Sequence, residues 1–270
     1  APRSVFIGGG GELATAREVL KHGTVERLVM VDIDPAVIDV CKKYLPEWGG
    51  EAVASHPKME LIIGDAHAYL MQTSEKFDVI IMDISDPIEA GPGIALYTKE
   101  FYERASRVLA PSHGVFVTQA GSADFAAMHA KNNPESWCFG PIANTLASVF
   151  DHAVPYTTSI ASFGEDWGFV LAFNGPLGRG REVADLEIGV VDDMIEERIG
   201  MVPGVPEHNG SGARGSSPGR AMTGYERGGD VLRHYDGVVH RRLFSLSKPL
   251  RKAMQGDERV MTEANPIFMY

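Results

Sequence analysis

The chain has 270 residues, and its 36 Asp and Glu against 25 Lys and Arg give a formal net charge of −11. An acidic surface argues against nucleic acid as a partner, because phosphates require a basic binding face, and it favours cationic small molecules. Cys41 and Cys138 lack metal-ligand spacing, and no apolar run reaches the roughly 20 residues that span a bilayer, so we expect a cytoplasmic protein with neither a metal nor a membrane partner.

The first element is a strand followed by a glycine turn and a helix. Val5–Ile7 is apolar, residues 8–11 are all glycine, and Ala14–His22 is rich in helix-forming residues. This order is typical of a Rossmann-like unit, in which the backbone approaches a ligand closely. Glu12 lies in the turn, where it would repel a phosphate. The turn therefore indicates a ligand that presents a positive charge.

Apolar strands and amphipathic helices alternate through the first 175 residues. Further strands are predicted at Leu28–Val31, Met59–Ile63, Phe77–Met82 and Gly114–Gln119, and helices at Pro35–Leu45, Ala66–Gln72, Thr98–Val108 and about 142–150. Continuous apolar strands indicate a parallel sheet covered by helices on both faces. Two more runs, Ala153–Ile160 and Trp167–Phe173, lie too close together for a helical crossover and predict an antiparallel hairpin.

The predicted fold is therefore α/β, with a Rossmann-like, seven-stranded sheet of the methyltransferase type that is mostly parallel and carries the hairpin at its edge. Residues 1–175 form the predicted catalytic domain, and residues 176–270 form an extension of the same domain. Within that extension, 200–229 contains nine glycines and three prolines. Such a composition buries too little apolar surface to offset ordering entropy, so we expect a flexible insertion there.

Acidic residues follow the predicted strands, where open α/β sheets bind their ligands. They are Glu12, Asp32, Asp65, and Asp83 with Asp86. For Asp65, helix capping and contact with an adenine amino group are both open interpretations. An Asx turn accounts for one of Asp83 and Asp86 but not comfortably for both, so this pair predicts an acidic lip over the sheet.

Several short motifs stand in order along residues 5–173. They are Gly9-Gly10-Gly11-Glu12, Asp32-Ile33-Asp34, Gly64-Asp65-Ala66, Asp83-Ile84-Ser85-Asp86-Pro87, Leu96-Tyr97 and Thr118-Gln119-Ala120-Gly121. Together they resemble the spermidine synthase family of polyamine aminopropyltransferases. The resemblance implies transfer of an aminopropyl group from decarboxylated S-adenosylmethionine to a polyamine such as putrescine or spermidine, with release of methylthioadenosine. It also implies a homo-oligomer, dimer or tetramer, with no tightly bound cofactor.

The resemblance implies roles for individual residues. Asp83 would orient the attacking amine and receive or relay its proton, Asp32 would hold the ribose hydroxyls, and Glu12 would face the aminopropyl ammonium. The implied donor-binding residues are Glu12, Asp32, Ile33, Asp65, Ala66, Asp83, Pro87 and Tyr97. The implied acceptor-binding residues are Asp86, Gln119, Glu12, Glu89 and Trp167. Tyr97 leaves core filling open as an alternative.

Within the family, Glu12, Ala66 and the run 162–169 resemble thermospermine synthases more than spermidine synthases. A Tyr that contacts the acceptor in spermidine synthases is absent near Ser162 and Phe163, which would lengthen the groove for spermidine. Spermidine synthase and spermine synthase remain alternatives. Family members also carry a β-rich domain ahead of the glycine turn, and this domain is expected to be missing here because the turn begins within ten residues of Ala1.

Three other function classes fit part of the sequence. A class I methyltransferase shares the fold and the ribose carboxylate. The spacing Gly9-x-Gly11-x-x-Ala14 also fits the dinucleotide fingerprint of a nicotinamide-dependent dehydrogenase, although Glu12 would oppose a pyrophosphate. The third class is a non-catalytic ligand-binding protein that kept the fold.

Overall fold

The computed structural model describes residues 1–124, 134–175, 183–200 and 232–269. The insertion expected at 200–229 lies outside the described residues, apart from Gly200.

One mixed sheet organises the chain. Its strands are β1 (Ser4–Gly9), β2 (Arg27–Asp32), β3 (Met59–Ile63), β4 (Val79–Asp83), β5 (Val115–Ser122), β6 (His152–Ile160) and β7 (Glu165–Phe173). They lie in the order β3-β2-β1-β4-β5-β7-β6, with β7 antiparallel to both of its neighbours and the other pairs parallel. The predicted seven-stranded sheet with an edge hairpin is confirmed.

Nine α-helices lie wholly within the described ranges. They are α1 (Ala14–Leu20), α2 (Pro35–Tyr44), α3 (Gly50–Ala54), α4 (Ala66–Gln72), α5 (Lys99–Val108), α6 (Phe139–Ala147), α7 (Ile188–Arg198), α8 (Gly237–Leu243) and α9 (Lys248–Gln255). Short 3₁₀ turns cover Pro46–Trp48, Ile94–Tyr97 and Pro134–Ser136. None of the described helices has the length and apolar character needed to cross a bilayer.

Alternate residues of the interior strand β1 point to opposite faces of the sheet. Val5 and Ile7 of β1 pack with the α1 residues Ala16 and Val19 on one face. Phe6 belongs to the larger cluster on the other face, which includes residues of α4, α5 and α6. Because both faces of β1 are buried, residues 5–7 are apolar without interruption, as a covered parallel sheet requires.

The hydroxyl of Tyr102 on α5 is buried without a hydrogen-bond partner among the described residues. Its ring is fully buried and packs edge-on against Phe116 at 5.4 Å between centroids. An unpaired buried hydroxyl is costly, so we expect Tyr102→Phe to raise the free energy of unfolding by about 1 kcal/mol in urea denaturation. The matched control is Tyr97→Phe, which removes a hydroxyl that donates to the carbonyl of Ser85 at 2.9 Å and should lower stability. Equal losses in both variants would contradict the prediction.

Candidate active site

The glycine turn touches the end of β4, which brings the predicted donor residues together. Gly9 lies opposite Asp83 in the β1–β4 pairing, and the N–H of Gly10 donates to the Asp83 carbonyl at 2.9 Å. Gly9 has a φ of +81°, and a Cβ there would lie 2.0 Å from the Asp83 carbonyl oxygen. Only glycine therefore allows this approach.

A strained residue connects the turn to the first helix. Leu13 is the N-cap of α1, with a φ of 73°, and it is the one non-glycine residue with positive φ among those described. Its side chain is fully buried. A left-handed backbone costs about 1–2 kcal/mol in a residue with a Cβ, and buried packing holds it here. This bend sets the direction of the chain directly after Glu12.

Three carboxylates form the first half of the site. Burial raises the pKa of Glu12, and the negative charges of Asp83 and Asp32 raise it further. The Asp83 carboxylate accepts a hydrogen bond from the Thr15 hydroxyl at 2.5 Å, and the Asp32 carboxylate accepts from the N–H of Asp34 at 2.8 Å. The charges are therefore concentrated enough to oppose one another, and a bound cation would relieve the repulsion.

The remaining predicted donor residues lie around this group. Asp65 is the N-cap of α4, where its carboxylate accepts from the N–H of His67 at 2.8 Å. The capping interpretation of Asp65 is therefore correct, and this exposed residue still stands at the end of β3. Ala66 is buried behind it, whereas Ile33 is 58% exposed directly after Asp32. An apolar surface thus adjoins two carboxylates.

Asp86 is the centre of the second half of the site. Burial raises the pKa of Asp86, and the charge of Glu165 raises it further, against the effect of a hydrogen bond from Gln119. Glu165 was not predicted as a site residue. It begins β7, accepts a hydrogen bond from the Ser122 hydroxyl, and lies on the same side of its strand as Trp167 two residues later.

The Gln119 side chain connects the residues of this half of the site by hydrogen bonds. Its side-chain oxygen accepts from the indole N–H of Trp167 at 2.8 Å and from the backbone N–H of Gly121 at 3.0 Å, which fixes the orientation of the amide. The amide nitrogen therefore faces Asp86, whose carboxylate it approaches to 2.9 Å. Gln119 and Trp167 are both buried. These bonds orient the Asp86 carboxylate, and direct acceptor binding by Gln119 and Trp167 stays a prediction.

Tyr97 was predicted either to pack against the donor or to fill the core. It is 0% exposed, and its hydroxyl donates to the Ser85 carbonyl and accepts from the Gln119 amide at 2.6 Å. Tyr97 therefore belongs to the core beneath the loop that carries Asp83 and Asp86. The alternative interpretation, core filling, is correct because the ring fills space under that loop.

The last two predicted residues lie beyond Asp86. Pro87 is buried, and its carbonyl accepts from the N–H of Met269 at 2.8 Å. Glu89 is exposed and makes no hydrogen bond or ion pair with another described residue. Pro87 thus lies beside Asp86 in the site, and acceptor binding by the exposed Glu89 stays a prediction. Among the described side chains, no group of three His, Cys, Asp or Glu is arranged to hold a metal ion.

Comparison with known proteins agrees with this geometry. The family described as "Spermine/spermidine synthase domain" matches residues 1–174. A polyamine aminopropyltransferase of Sulfurisphaera tokodaii is 36% identical over 268 residues, which is 98% of this chain and 73% of that protein. A thermospermine synthase of Arabidopsis thaliana is 40% identical over 198 residues, which is 73% of this chain and 54% of that protein.

A solved structure shows the same fold. A spermidine synthase in complex with the transition state analogue AdoDATO superposes with a TM-score of 0.69 at 24% identity, covering 94% of this chain and 70% of that chain. The resemblance inferred from the motifs is therefore confirmed. The chain belongs to the spermine/spermidine synthase family, the polyamine aminopropyltransferases.

Proposed function

We propose that this chain transfers an aminopropyl group from decarboxylated S-adenosylmethionine to spermidine, giving thermospermine and methylthioadenosine. The observation that carries the proposal is the pairing of two acidic groups at one edge of the sheet. Glu12, Asp32 and Asp83 form the donor half-site, and Asp86 and Glu165 form the acceptor half-site. Two adjacent negative half-sites suit a cationic donor and a cationic acceptor.

The donor half-site discriminates by charge. Intact S-adenosylmethionine carries a carboxylate beside its amine, which Glu12 repels, whereas the decarboxylated form presents only the ammonium. Opposite charges about 4 Å apart near a protein surface attract by around 4 kcal/mol before solvation costs. Asp32 binds the ribose hydroxyls in this proposal. Asp65 and the exposed Ile33, backed by Ala66, contact the adenine.

The transfer step forms a C–N bond and breaks a C–S bond. The acceptor nitrogen attacks the carbon next to the sulfonium, and the bonding pair leaves with sulfur as a neutral thioether. A free alkylamine, like lysine, has a pKa near about 10, so it arrives protonated and must lose a proton first. Asp83, held by Thr15 and the glycine turn, orients the nitrogen and accepts or relays that proton.

Acceptor length is the basis for choosing spermidine. Asp86 and Glu165 bind ammonium groups of the acceptor beyond the attacking nitrogen. Phe163, at the turn between β6 and β7, is 56% exposed, and its ring lies 4.6 Å from that of Trp167. Because the acceptor-contacting tyrosine of spermidine synthases is absent near Ser162 and Phe163, we expect this end of the half-site to accommodate a triamine.

A product assay tests the proposal. The protein is incubated with decarboxylated S-adenosylmethionine and either spermidine or putrescine, and the products are separated so that spermine and thermospermine are distinguished. Thermospermine from spermidine is the expected result. Spermine would reassign the alkylated amine, and spermidine from putrescine would reassign the acceptor. Methyl transfer from intact S-adenosylmethionine without aminopropyl transfer would overturn the proposal.

We also make a proposal for the location, oligomeric state and cofactor requirement of the enzyme. We infer a cytoplasmic homo-oligomer that needs no tightly bound cofactor, and the family membership supports this inference. We also infer that residues 1–175 are the catalytic domain and 176–270 its extension. The family match over residues 1–174 supports that boundary.

Glu12→Gln is expected to weaken the selection of the decarboxylated donor and to raise the thermal stability of the protein. Because the pKa of Glu12 is raised, its contribution to stability is present at pH below its ordinary value and is lost as the pH rises through the raised value. At neutral pH the variant should therefore unfold at a higher temperature than the parent. Isothermal titration gives the ratio of its affinities for decarboxylated and intact S-adenosylmethionine. This ratio should fall by about tenfold or more.

Glu51→Gln is the matched control for Glu12→Gln, because it removes an exposed carboxylate that pairs with Lys42 and not with the site carboxylates. It should leave donor preference unchanged. An unchanged donor ratio in Glu12→Gln itself would show that Glu12 does not select the donor.

A further inference from the structure

The end of the described chain runs along the acceptor half-site. We call residues 257–269 the C-terminal strap. Near its start, the Arg259 guanidinium pairs with Asp257 at 2.7 Å and donates to the carbonyls of Glu135 and Trp137 at 2.7 and 3.1 Å. The strap is thereby tied to the segment that leads into α6.

The middle of the strap joins two helices. Met261 is fully buried, and its N–H donates to the Thr145 hydroxyl of α6 at 2.8 Å. Its carbonyl accepts from the N–H of Lys99 in α5 at 2.9 Å. The two Met261 hydrogen bonds hold the strap in place without involving the carboxylates of the donor and acceptor half-sites.

The far end of the strap touches the acceptor half-site from two sides. The Met269 N–H donates to the carbonyl of Pro87, the residue directly after Asp86, at 2.8 Å. The Met269 side chain is buried against Gly121, which has a φ of +81°. A Cβ at Gly121 would lie 2.6 Å from the Met269 methyl carbon. Methionine therefore fills the space that a side chain at Gly121 would need.

The two contacts of Met269 meet at Asp86 through Gln119. The Gly121 N–H donates to the Gln119 side-chain oxygen, and the Gln119 amide nitrogen donates to the Asp86 carboxylate. Pro87 constrains the backbone of Asp86, and Gly121 constrains the amide that orients its side chain. Met269 thus influences both the position and the orientation of the Asp86 carboxylate.

We propose that Met269 is a positioning residue for the polyamine acceptor. By holding Pro87 and Gly121 it fixes Asp86 where an acceptor ammonium binds. The inference rests on the proposed function, because it assigns the acceptor ammonium to Asp86. Met269 itself touches no ligand in this scheme. Its effect should therefore fall on acceptor affinity and leave donor affinity unchanged.

The test compares two buried methionines of the same strap. Spermidine binding is titrated calorimetrically in the presence of methylthioadenosine for the full chain, for Met269→Ala and for Met261→Ala. Met269→Ala should weaken spermidine binding about tenfold or more, since small misplacements of a binding group are costly. Its affinity for methylthioadenosine should stay within about twofold, and Met269→Leu should restore most of the spermidine affinity. Met261→Ala should lower the melting temperature without weakening spermidine binding.

The outcomes separate this inference from the proposed function. If the parent chain binds no polyamine and yields no aminopropylated product, the proposed function fails and the inference fails with it. If the parent is active but Met269→Ala binds spermidine normally, only the inference is overturned. Equal weakening of donor and acceptor binding in Met269→Ala would also overturn it, because that result indicates general loosening. Should Met261→Ala not fold, the comparison with Met269→Leu still decides.

Discussion

Asp83→Asn is expected to lower kcat by at least about a hundredfold, the usual scale for a positioned acid–base group. The substitution keeps the size of the side chain and removes its charge and its ability to take a proton. The glycine turn is hydrogen-bonded to the Asp83 backbone, and the asparagine side-chain oxygen can still accept from the Thr15 hydroxyl, so the donor half-site should keep its shape. Affinity for methylthioadenosine should therefore remain within about twofold of the parent value.

The control for Asp83→Asn is Asp39→Asn, the same chemical change at an exposed position on α2. Steady-state kinetics with spermidine as acceptor compare the two variants. Asp39→Asn should match the parent. Undiminished turnover in Asp83→Asn would remove Asp83 from the chemical step, and circular dichroism guards against a loss caused by unfolding.

Gly9→Ala is expected to abolish donor binding and to lower the free energy of unfolding by about 3 kcal/mol. Two costs combine here. The backbone has a φ of +81°, and the new Cβ would stand 2.0 Å from the Asp83 carbonyl oxygen. Relief requires the turn to move away from β4, which separates Glu12 from Asp83. Isothermal titration with methylthioadenosine and urea denaturation measure the two effects.

Gly164→Ala separates the cost of a positive φ from the cost of the steric contact with β4. Gly164 has a similar φ of +72°, but a Cβ there meets nothing within 4 Å. This variant bears only the conformational cost, about 1 kcal/mol. It should also bind methylthioadenosine normally. Equal losses of stability in both glycine variants would show that the turn relaxes easily and that close approach to β4 is unnecessary.

The donor half-site was predictable because local chain patterns create it. Each acidic residue follows an apolar strand or a glycine turn, and parallel strands bring their carboxyl ends to one edge. Asp32 and Asp65 also make hydrogen bonds to N–H groups two residues further along. Such short-range signals can be read directly from the sequence.

The acceptor half-site depends on contacts that the sequence does not display. Gln119 reaches Asp86 across 33 positions, Trp167 reaches Gln119 across 48, and Ser122 reaches Glu165 across 43. The β5–β7 pairing shifts register between Gln119 and Ser122, so simple alternation could not place Glu165 beside Asp86. For the same reason the burial of Gln119 was missed.

Helix boundaries were likewise predictable where a short-range signal marks them. Residues 66–72 were predicted without error because Asp65 supplies an N-cap. The helix predicted at about 142–150 instead begins at Phe139, since proline is tolerated at Pro141 within the first turn. The short α3 was not predicted, and it begins where Gly49 and Gly50 both have positive φ.

We propose that carboxylates at the sheet edge bind two positively charged partners side by side. A crystal structure of the protein with methylthioadenosine and spermidine would show this arrangement. We expect the thioether between Glu12 and Asp83, with spermidine nitrogens within hydrogen-bond distance of Asp83, Asp86 and Glu165. Density for either compound at another face of the sheet, with these carboxylates unengaged, would contradict it.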